Sequence, residues 1–184
     1  KQPVTIDWDA NAAEKAGYEH FMLKEIYEQP KTINDTISPR IKDNDIVIEE
    51  LNMSDEEIKE ITKIHIVACG SAYHTGVTAK YVIEGLARIP VEVDVASEFR
   101  YRDPILQKGN MVIVISQSGE TADTLAALRE SRERGFKVLG IVNVVGSSIA
   151  READSVMYTW AGPEIAVATT KAYSAQLAAL YMLA

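Results

Sequence analysis

The sequence predicts an α/β protein: a three-layer α/β/α sandwich around a five-stranded parallel sheet, preceded by a helical lead-in. Three observations carry that prediction. From Lys63 onward, short runs rich in Val and Ile alternate with stretches of helical period, the pattern of βα units joined by right-handed crossovers. One run, Met111-Val112-Ile113-Val114-Ile115, is apolar throughout, as a strand covered on both faces must be. Two of the runs end in glycine- and hydroxyl-rich turns that lead straight into helices, Cys69-Gly70-Ser71-Ala72 and Ser116-Gln117-Ser118-Gly119-Glu120-Thr121, as at the carboxyl ends of parallel strands.

Residues 1–17 have no clear period and read as a linker, with Trp8 packing onto the domain. From Tyr18 a helical pattern begins, with Met22, Ile26, Ile33 and Ile37 on one stripe. Gln29-Pro30 interrupts it, and because proline lacks the N–H that a helix interior needs, one helix is expected to end there and another to start. Ser38-Pro39-Arg40 closes the pair, residues 41–53 are mixed, and Ser54-Asp55-Glu56-Glu57 matches a capping box opening a short helix to about Thr62.

The first strand is Ile64–Ala68, and the helix after it is expected to bury Val82, Gly85, Leu86 and Ile89 before Pro90 stops it. Val91-Glu92-Val93-Asp94-Val95 alternates strictly, which suggests a sheet edge. A short helix near Ser97–Tyr101 and a turn at Asp103-Pro104 lead to the Met111 strand. The following helix should turn Ala122, Leu125 and Leu128 inward and end at Gly135. Strands at Val138–Val142 and Ser155–Tyr158, a short helix at Ser147–Asp154 and a last helix from Thr169 or Thr170 complete the chain. Strand order 2-1-3-4-5 is expected, which sets the ends of the first and third strands side by side at the point where the order reverses.

Composition bounds the function. The chain has 184 residues, 47% of them hydrophobic and 25% charged, ordinary for a soluble globular domain with an appendage. A net charge of −8 with no basic run argues against nucleic acid, which is held by clustered Lys and Arg. No apolar run approaches the roughly 20 residues that span a bilayer, and a single cysteine, Cys69, leaves no intrachain disulfide and agrees with a reducing compartment. The chain starts at Lys1 and stops at Ala184 within an apolar helical pattern, so it is expected to be a piece of something longer.

Ser116, Gln117, Ser118 and Thr121 cluster around Gly119, where the first N–H groups of a helix lack intrahelical partners and the helix dipole is positive. That is a seat for a small phosphate or carboxylate. No Gly-Lys-Ser/Thr follows, so neutral donors would have to hold the anion without a P-loop lysine. The competing reading is that Ser118 or Thr121 merely caps the helix. Cys69–Gly76 supplies a second such turn, and Gly162–Lys171 a third small, hydroxyl-rich segment that would wall the same crevice.

Five separated motifs in order then resemble one family: Tyr27-Glu28-Gln29-Pro30, Cys69-Gly70-Ser71, Ser97-Glu98-Phe99-Arg100-Tyr101, Ser116–Thr124 and Glu164–Ala172. Together they look like the first sugar-isomerase (SIS) domain of the glucosamine-6-phosphate synthases, the isomerising glutamine:fructose-6-phosphate aminotransferases. The resemblance runs from about Tyr18 to the end, with residues 1–62 as linker and helical lead-in and residues 63–184 as the SIS domain. It implies a cytoplasmic homodimer making glucosamine 6-phosphate and glutamate from fructose 6-phosphate and glutamine, without a cofactor or metal. By motif it assigns the sugar phosphate to Ser116, Gln117, Ser118 and Thr121, and the sugar to Gly70, Ser71, Ala72 and Val167. Ala72 departs from the serine usual there, which removes a hydroxyl.

The same resemblance places the glutaminase domain, the second SIS domain and every catalytic residue outside this chain. It should therefore bind fructose 6-phosphate or glucosamine 6-phosphate and fail to turn it over. Two alternatives are a non-catalytic sugar-phosphate sensor domain of a regulator and a stand-alone phosphosugar isomerase. The acidic residues 1–62 lack a recognition helix, which disfavours the regulator.

Other residues invite roles. Cys69 is expected to pack under its loop and Lys171 to serve at the surface or behind the site rather than as a Schiff base. His20, His65 and His74 lack ligand spacing. His65 is expected to be satisfied within the sheet, His74 to make a structural hydrogen bond near the crevice, Glu98 and Arg100 to pair, and Glu164 to be structural.

Overall fold

Alternating apolar runs and helical stretches become alternating strands and helices in the computed structural model, which describes residues 14–184. Trp8 and the expected linker up to residue 13 lie outside the described residues. Helix α1 (Phe21–Ile37) leads, followed by a 3-10 turn at Ser38–Arg40, a small hairpin of β1 (Ile41–Lys42) and β2 (Asp45–Ile46), a second 3-10 turn at Glu49–Leu51, and α2 (Asp55–Lys59). Ser54 and Glu57 form the expected capping box, each side chain bonding the other's backbone N–H (3.2 and 2.8 Å).

Then come β3 (Lys63–Ala68), α3 (Gly70–Leu86), β4 (Val91–Val95), α4 (Ala96–Tyr101), β5 (Asn110–Ser116), α5 (Ala122–Glu133), β6 (Lys137–Val142), α6 (Ser148–Glu152), β7 (Ser155–Tyr158) and α7 (Lys171–Leu183). The five long-range strands pair in parallel in the order β4-β3-β5-β6-β7, the expected 2-1-3-4-5, with the alternating strand β4 at one edge. Ala68 is opposite Ile115 in register, so the turns after β3 and β5 leave the sheet side by side.

The sheet separates two apolar cores. Ile66, Ala68, Ile113, Ile115, Leu139 and Ile141 face Ala79 and Ile83 of α3 and Leu180 of α7. Val67, Val112, Val114, Val138 and Val142 face Phe99 of α4, Leu128 of α5 and Ile149 of α6. Alternate side chains of β5 are thus used on both sides, which is why that run carries no polar residue between Met111 and Ile115.

Four expectations about the helices are corrected. Pro30 does not divide the lead-in: α1 is continuous. The carbonyl of Ile26, which would have bonded the missing N–H of Pro30, instead accepts from Gln29 Nε2 (3.1 Å), so the break costs less than an unsatisfied carbonyl would. The buried stripe of α1 is also polar rather than apolar. Lys24, Glu25, Thr32 and Thr36 are buried, whereas Met22 and Ile26 are 42% and 39% exposed: the helix packs along α7, and Glu25 and Thr36 of its inner face bond backbone of the segment before α7 and of the end of β7. In α3 the sheet-facing stripe is Thr75, Gly76, Ala79 and Ile83, small residues that allow close approach, and Leu86 is left 69% exposed. Helix α5 buries Thr124, Ala127, Leu128 and Ser131, so Leu128 is inward as expected while Ala122 is exposed and Leu125 half-buried.

Candidate functional site

Strand register brings the two hydroxyl-rich turns together, and the segment before α7 closes a third side. The result is a hollow of about 290 Å³ lined by Cys69, Ser71 and Ala72 from the β3 turn, Ile115, Ser116, Gln117, Ser118 and Thr121 from the β5 turn, Glu164, Ala166, Val167 and Thr169 from the last loop, and Gln176 from α7. Every residue expected to bind is in that lining except Gly70, which begins α3 with φ +58°. Val167 is on the rim, its side chain fully exposed. None of the lining residues is Lys, Arg or His.

The β5 turn is held by its own hydroxyls. Ser116 Oγ accepts the N–H of Gly119 (3.0 Å) and lies 2.9 Å from Thr121 Oγ1, and Ser118 Oγ accepts the N–H of Glu120 (3.2 Å). From outside, the neighbouring loop fastens it: Ile149 N–H donates to the Gly119 carbonyl (3.0 Å) and Asn143 N–H to the Gln117 carbonyl (3.2 Å). Glu120 in turn accepts from Ser148 N–H (2.7 Å), and hydrogen bonding to Ser148 holds its carboxyl below the usual carboxylate range. Gly119 is required twice over: its φ is +67°, and a Cβ there would lie 2.0 Å from Ser147 Oγ.

Capping, the competing reading of the turn, is not what the hydroxyls do. Thr121 occupies the N-cap position of α5 yet makes no side-chain bond to the first-turn N–H groups, and Cys69 at the N-cap of α3 makes none either. Helix α7 is different. Its N-terminal Thr170 and Ala172 N–H groups donate to Glu164 Oε1 (2.9 and 3.2 Å), and Thr169 Oγ1 donates to the same carboxylate. Of three helices starting at the hollow, the one with its own carboxylate is closed, and two have no side-chain cap among the described residues and keep their positive dipole ends open.

The lead-in helix, whose role in the site the sequence reading missed, builds the third wall. Glu25 Oε1 accepts the N–H groups of Ile165 and Ala166 (2.7 and 3.1 Å). Glu28 pairs with Lys171 (2.7 Å), and Gln29 accepts from Ser174. Thr36 donates to the Thr159 carbonyl, and Arg40, 1% exposed, donates to the Tyr158 carbonyl and pairs with Glu50 (2.7 Å). The signal was present: Lys24, Glu28, Thr32, Thr36 and Arg40 recur at a spacing of four, a polar stripe on one helix face. Lys171 is 3% exposed, so of the two places expected for it the second holds: it sits behind the site, in a part-buried ion pair that joins α7 to α1.

Cys69 is half-buried in the lining and accepts weakly from Thr124 (3.8 Å). Glu164 has the expected structural role. His74 is exposed and is not among the lining residues. Arg100 pairs with Asp123 (3.4 Å) rather than with Glu98. His65 is fully buried, but among the described residues neither ring nitrogen has a hydrogen-bond partner, Glu92 lying 4.0 Å from Nδ1, a correction to the satisfied position expected. Burial, ahead of the nearby Lys63 charge, pushes its pKa below the usual imidazole value. Its nearest carboxylates, Glu92 and Asp94, are engaged by Lys63 and Arg102.

A family model described as the SIS domain matches residues 57–184. The chain belongs to the SIS domain family. This SIS domain is 65% identical over 179 residues to a glutamine--fructose-6-phosphate aminotransferase [isomerizing] from Clostridium acetobutylicum, covering 97% of this chain and 29% of that relative. It therefore spans less than a third of the relative's length. Among solved structures it is similar to the C-terminal domain of glucosamine-fructose-6-phosphate aminotransferase from Francisella tularensis, with a TM-score of 0.87, 46% identity, and coverage of 93% of this chain and 48% of that one. The sugar isomerase domain of an RpiR transcription factor from Sphaerobacter thermophilus shares the fold at a TM-score of 0.62 and 19% identity, covering 89% of this chain and 88% of that one. At that distance the likeness speaks for the fold alone.

Proposed function

We propose that this SIS domain binds the sugar phosphate of an isomerising glutamine:fructose-6-phosphate aminotransferase, with fructose 6-phosphate entering and glucosamine 6-phosphate leaving. The observation that carries the reading is the hollow at the carboxyl ends of β3 and β5, lined by hydroxyls and flanked by two uncapped helix N-termini. A phosphate ester is a pure acceptor, and helix N–H groups with hydroxyls are pure or optional donors, so a dianion is matched without a cationic side chain. Ser116, Gln117, Ser118 and Thr121 hold the phosphate. Gly70, Ser71, Ala72 and Val167 border the sugar, the last from the rim. The 65% identity to a named aminotransferase supports that substrate over other sugar phosphates.

Interconverting the ketose and aldose phosphates moves a proton between C1 and C2 and needs a base that is free to act. The one carboxylate in the lining, Glu164, is committed to the start of α7. This chain anchors and orients the substrate, and the proton transfer belongs to a glutaminase-linked protein with a second SIS domain. On this reading the whole protein is a cytoplasmic homodimer, and the domain proper is residues 63–184 with residues 1–62 as its lead-in.

Titration calorimetry tests the anchor. Replacing Ser118 and Thr121 together by Ala removes two hydrogen bonds to a charged group, and fructose 6-phosphate binding should weaken by about 3–6 kcal/mol. Equal affinity in wild type and double variant would refute the assignment. Incubation with fructose 6-phosphate and ammonia should yield no glucosamine 6-phosphate, and turnover by this chain alone would refute the division of labour.

A further inference from the structure

Several polar side chains around the hollow are engaged by the protein, whereas among the described residues those of Ser71, Gln117 and Gln176 make no hydrogen bond, and of these three Gln176 alone is buried. Gln176, on the second turn of α7, is 3% exposed and its side chain lines the hollow. Among the described residues its amide makes no hydrogen bond, whereas Glu164, Thr169, Ser116, Ser118 and Thr121 in the same lining all do. Neither amide atom is among the fully enclosed side-chain atoms without a partner, so the amide is reached from the hollow and finds there the partner that a polar group withdrawn from bulk water needs. An amide kept at such a place has its partner in whatever fills the hollow.

The chemistry of the amide says which part of a ligand it meets. It offers two N–H donors and one carbonyl acceptor. A phosphate dianion only accepts, and the open N-termini of α3 and α5 already serve it. A sugar hydroxyl donates and accepts at once and can use both halves of the amide. Ala72, in the same lining, brings no polar side-chain atom to the sugar.

We propose that Gln176 is a sugar-recognising residue, hydrogen-bonding hydroxyl or carbonyl oxygens of the bound sugar phosphate and setting the preference for a sugar phosphate over inorganic phosphate. This rests on the sugar-phosphate reading above, and it names a contact which the sequence motifs did not.

The test is calorimetry with fructose 6-phosphate and with inorganic phosphate as separate titrants, on wild type and Gln176→Met, a variant of similar length that removes the amide. The expected result is a fall of about tenfold in fructose 6-phosphate affinity, the loss of one to two neutral hydrogen bonds, with inorganic phosphate affinity unchanged within twofold. Retained phosphate binding also certifies that the variant's site is folded. If wild type prefers fructose 6-phosphate and the variant keeps that preference, this proposal fails and the function stands. If both titrants weaken together, Gln176 is structural and the proposal fails likewise. If wild type binds neither titrant, the sugar-phosphate reading falls and takes this one with it. Should Gln176→Met not fold, the side-chain amide resonances of Gln176 in wild type decide: they should move with fructose 6-phosphate and not with phosphate, and absence of that difference overturns the proposal.

Discussion

Two glycines at the hollow show how differently the same residue type is required. Gly119 and Gly70 have similar backbone angles, φ +67° and +58°, which cost an L-residue about 1–2 kcal/mol. Their surroundings differ: a Cβ on Gly70 meets nothing within 4 Å, whereas one on Gly119 would lie 2.0 Å from Ser147 Oγ and 2.5 Å from Ser147 Cβ. Gly70→Ala should therefore lose only the conformational cost. Gly119→Ala should lose more, because the β5 turn must lift off the loop that fastens it, and ligand affinity should fall with stability. Urea denaturation of the two variants checks this ordering, and an equal loss in both would contradict it. Position and spacing made Gly119 legible as a special residue, but the contact with Ser147, 28 positions away by the numbering, was not.

At the scale of elements, α1 behaves against its own composition. A helix ordinarily buries its apolar stripe, yet here Lys24, Glu25, Thr32 and Thr36 are inside and Tyr27 is 66% exposed. The reason lies in what it covers. The segment before α7 and the ends of β7 present carbonyls and N–H groups, and these must be paired once water is removed. Glu28→Ala would leave Lys171, whose side chain is 4% exposed, without the carboxylate 2.7 Å away. Glu28 is itself 29% exposed, so the loss should fall short of the ~3–5 kcal/mol typical of breaking a fully buried pair, and chemical denaturation should show it. Glu25→Ala should release the Ile165 and Ala166 N–H groups, so fructose 6-phosphate affinity should fall although Glu25 is not in the lining of the hollow. Unchanged affinity would mean that the wall stands without α1.

For the whole molecule, the dependence of folding on pH has an identifiable contributor in His65, which is fully buried beside Glu92 and Lys63. Burial depresses its folded pKa, so between that value and the unfolded value of about 6.5 the unfolded chain binds a proton that the folded chain refuses. Stability rises with pH wherever the unfolded state binds more protons. It should accordingly fall as pH drops below about 6.5, by at most about 1.4 kcal/mol per pH unit from this one group. The loss should stop growing once the folded pKa is passed, because both states then bind the proton and the slope returns to zero. His65→Gln should flatten the profile in that window. An unchanged slope in the variant would show that other groups carry it.

By itself the sequence determined the parallel sandwich, its strand order, the edge position of β4 and the two hydroxyl-rich turns at one crevice. These follow from local period, residue type and the handedness of crossovers, which act over a few residues at a time. Only the tertiary structure decided which helix faces are buried, that Thr121 leaves its helix uncapped while Glu164 closes another, and that a polar stripe on α1 braces the site. The bracing depends on partners more than a hundred positions apart, such as Glu25 and Ile165. Nothing in a local pattern states which backbone groups will be left in need of a bond when the layers close.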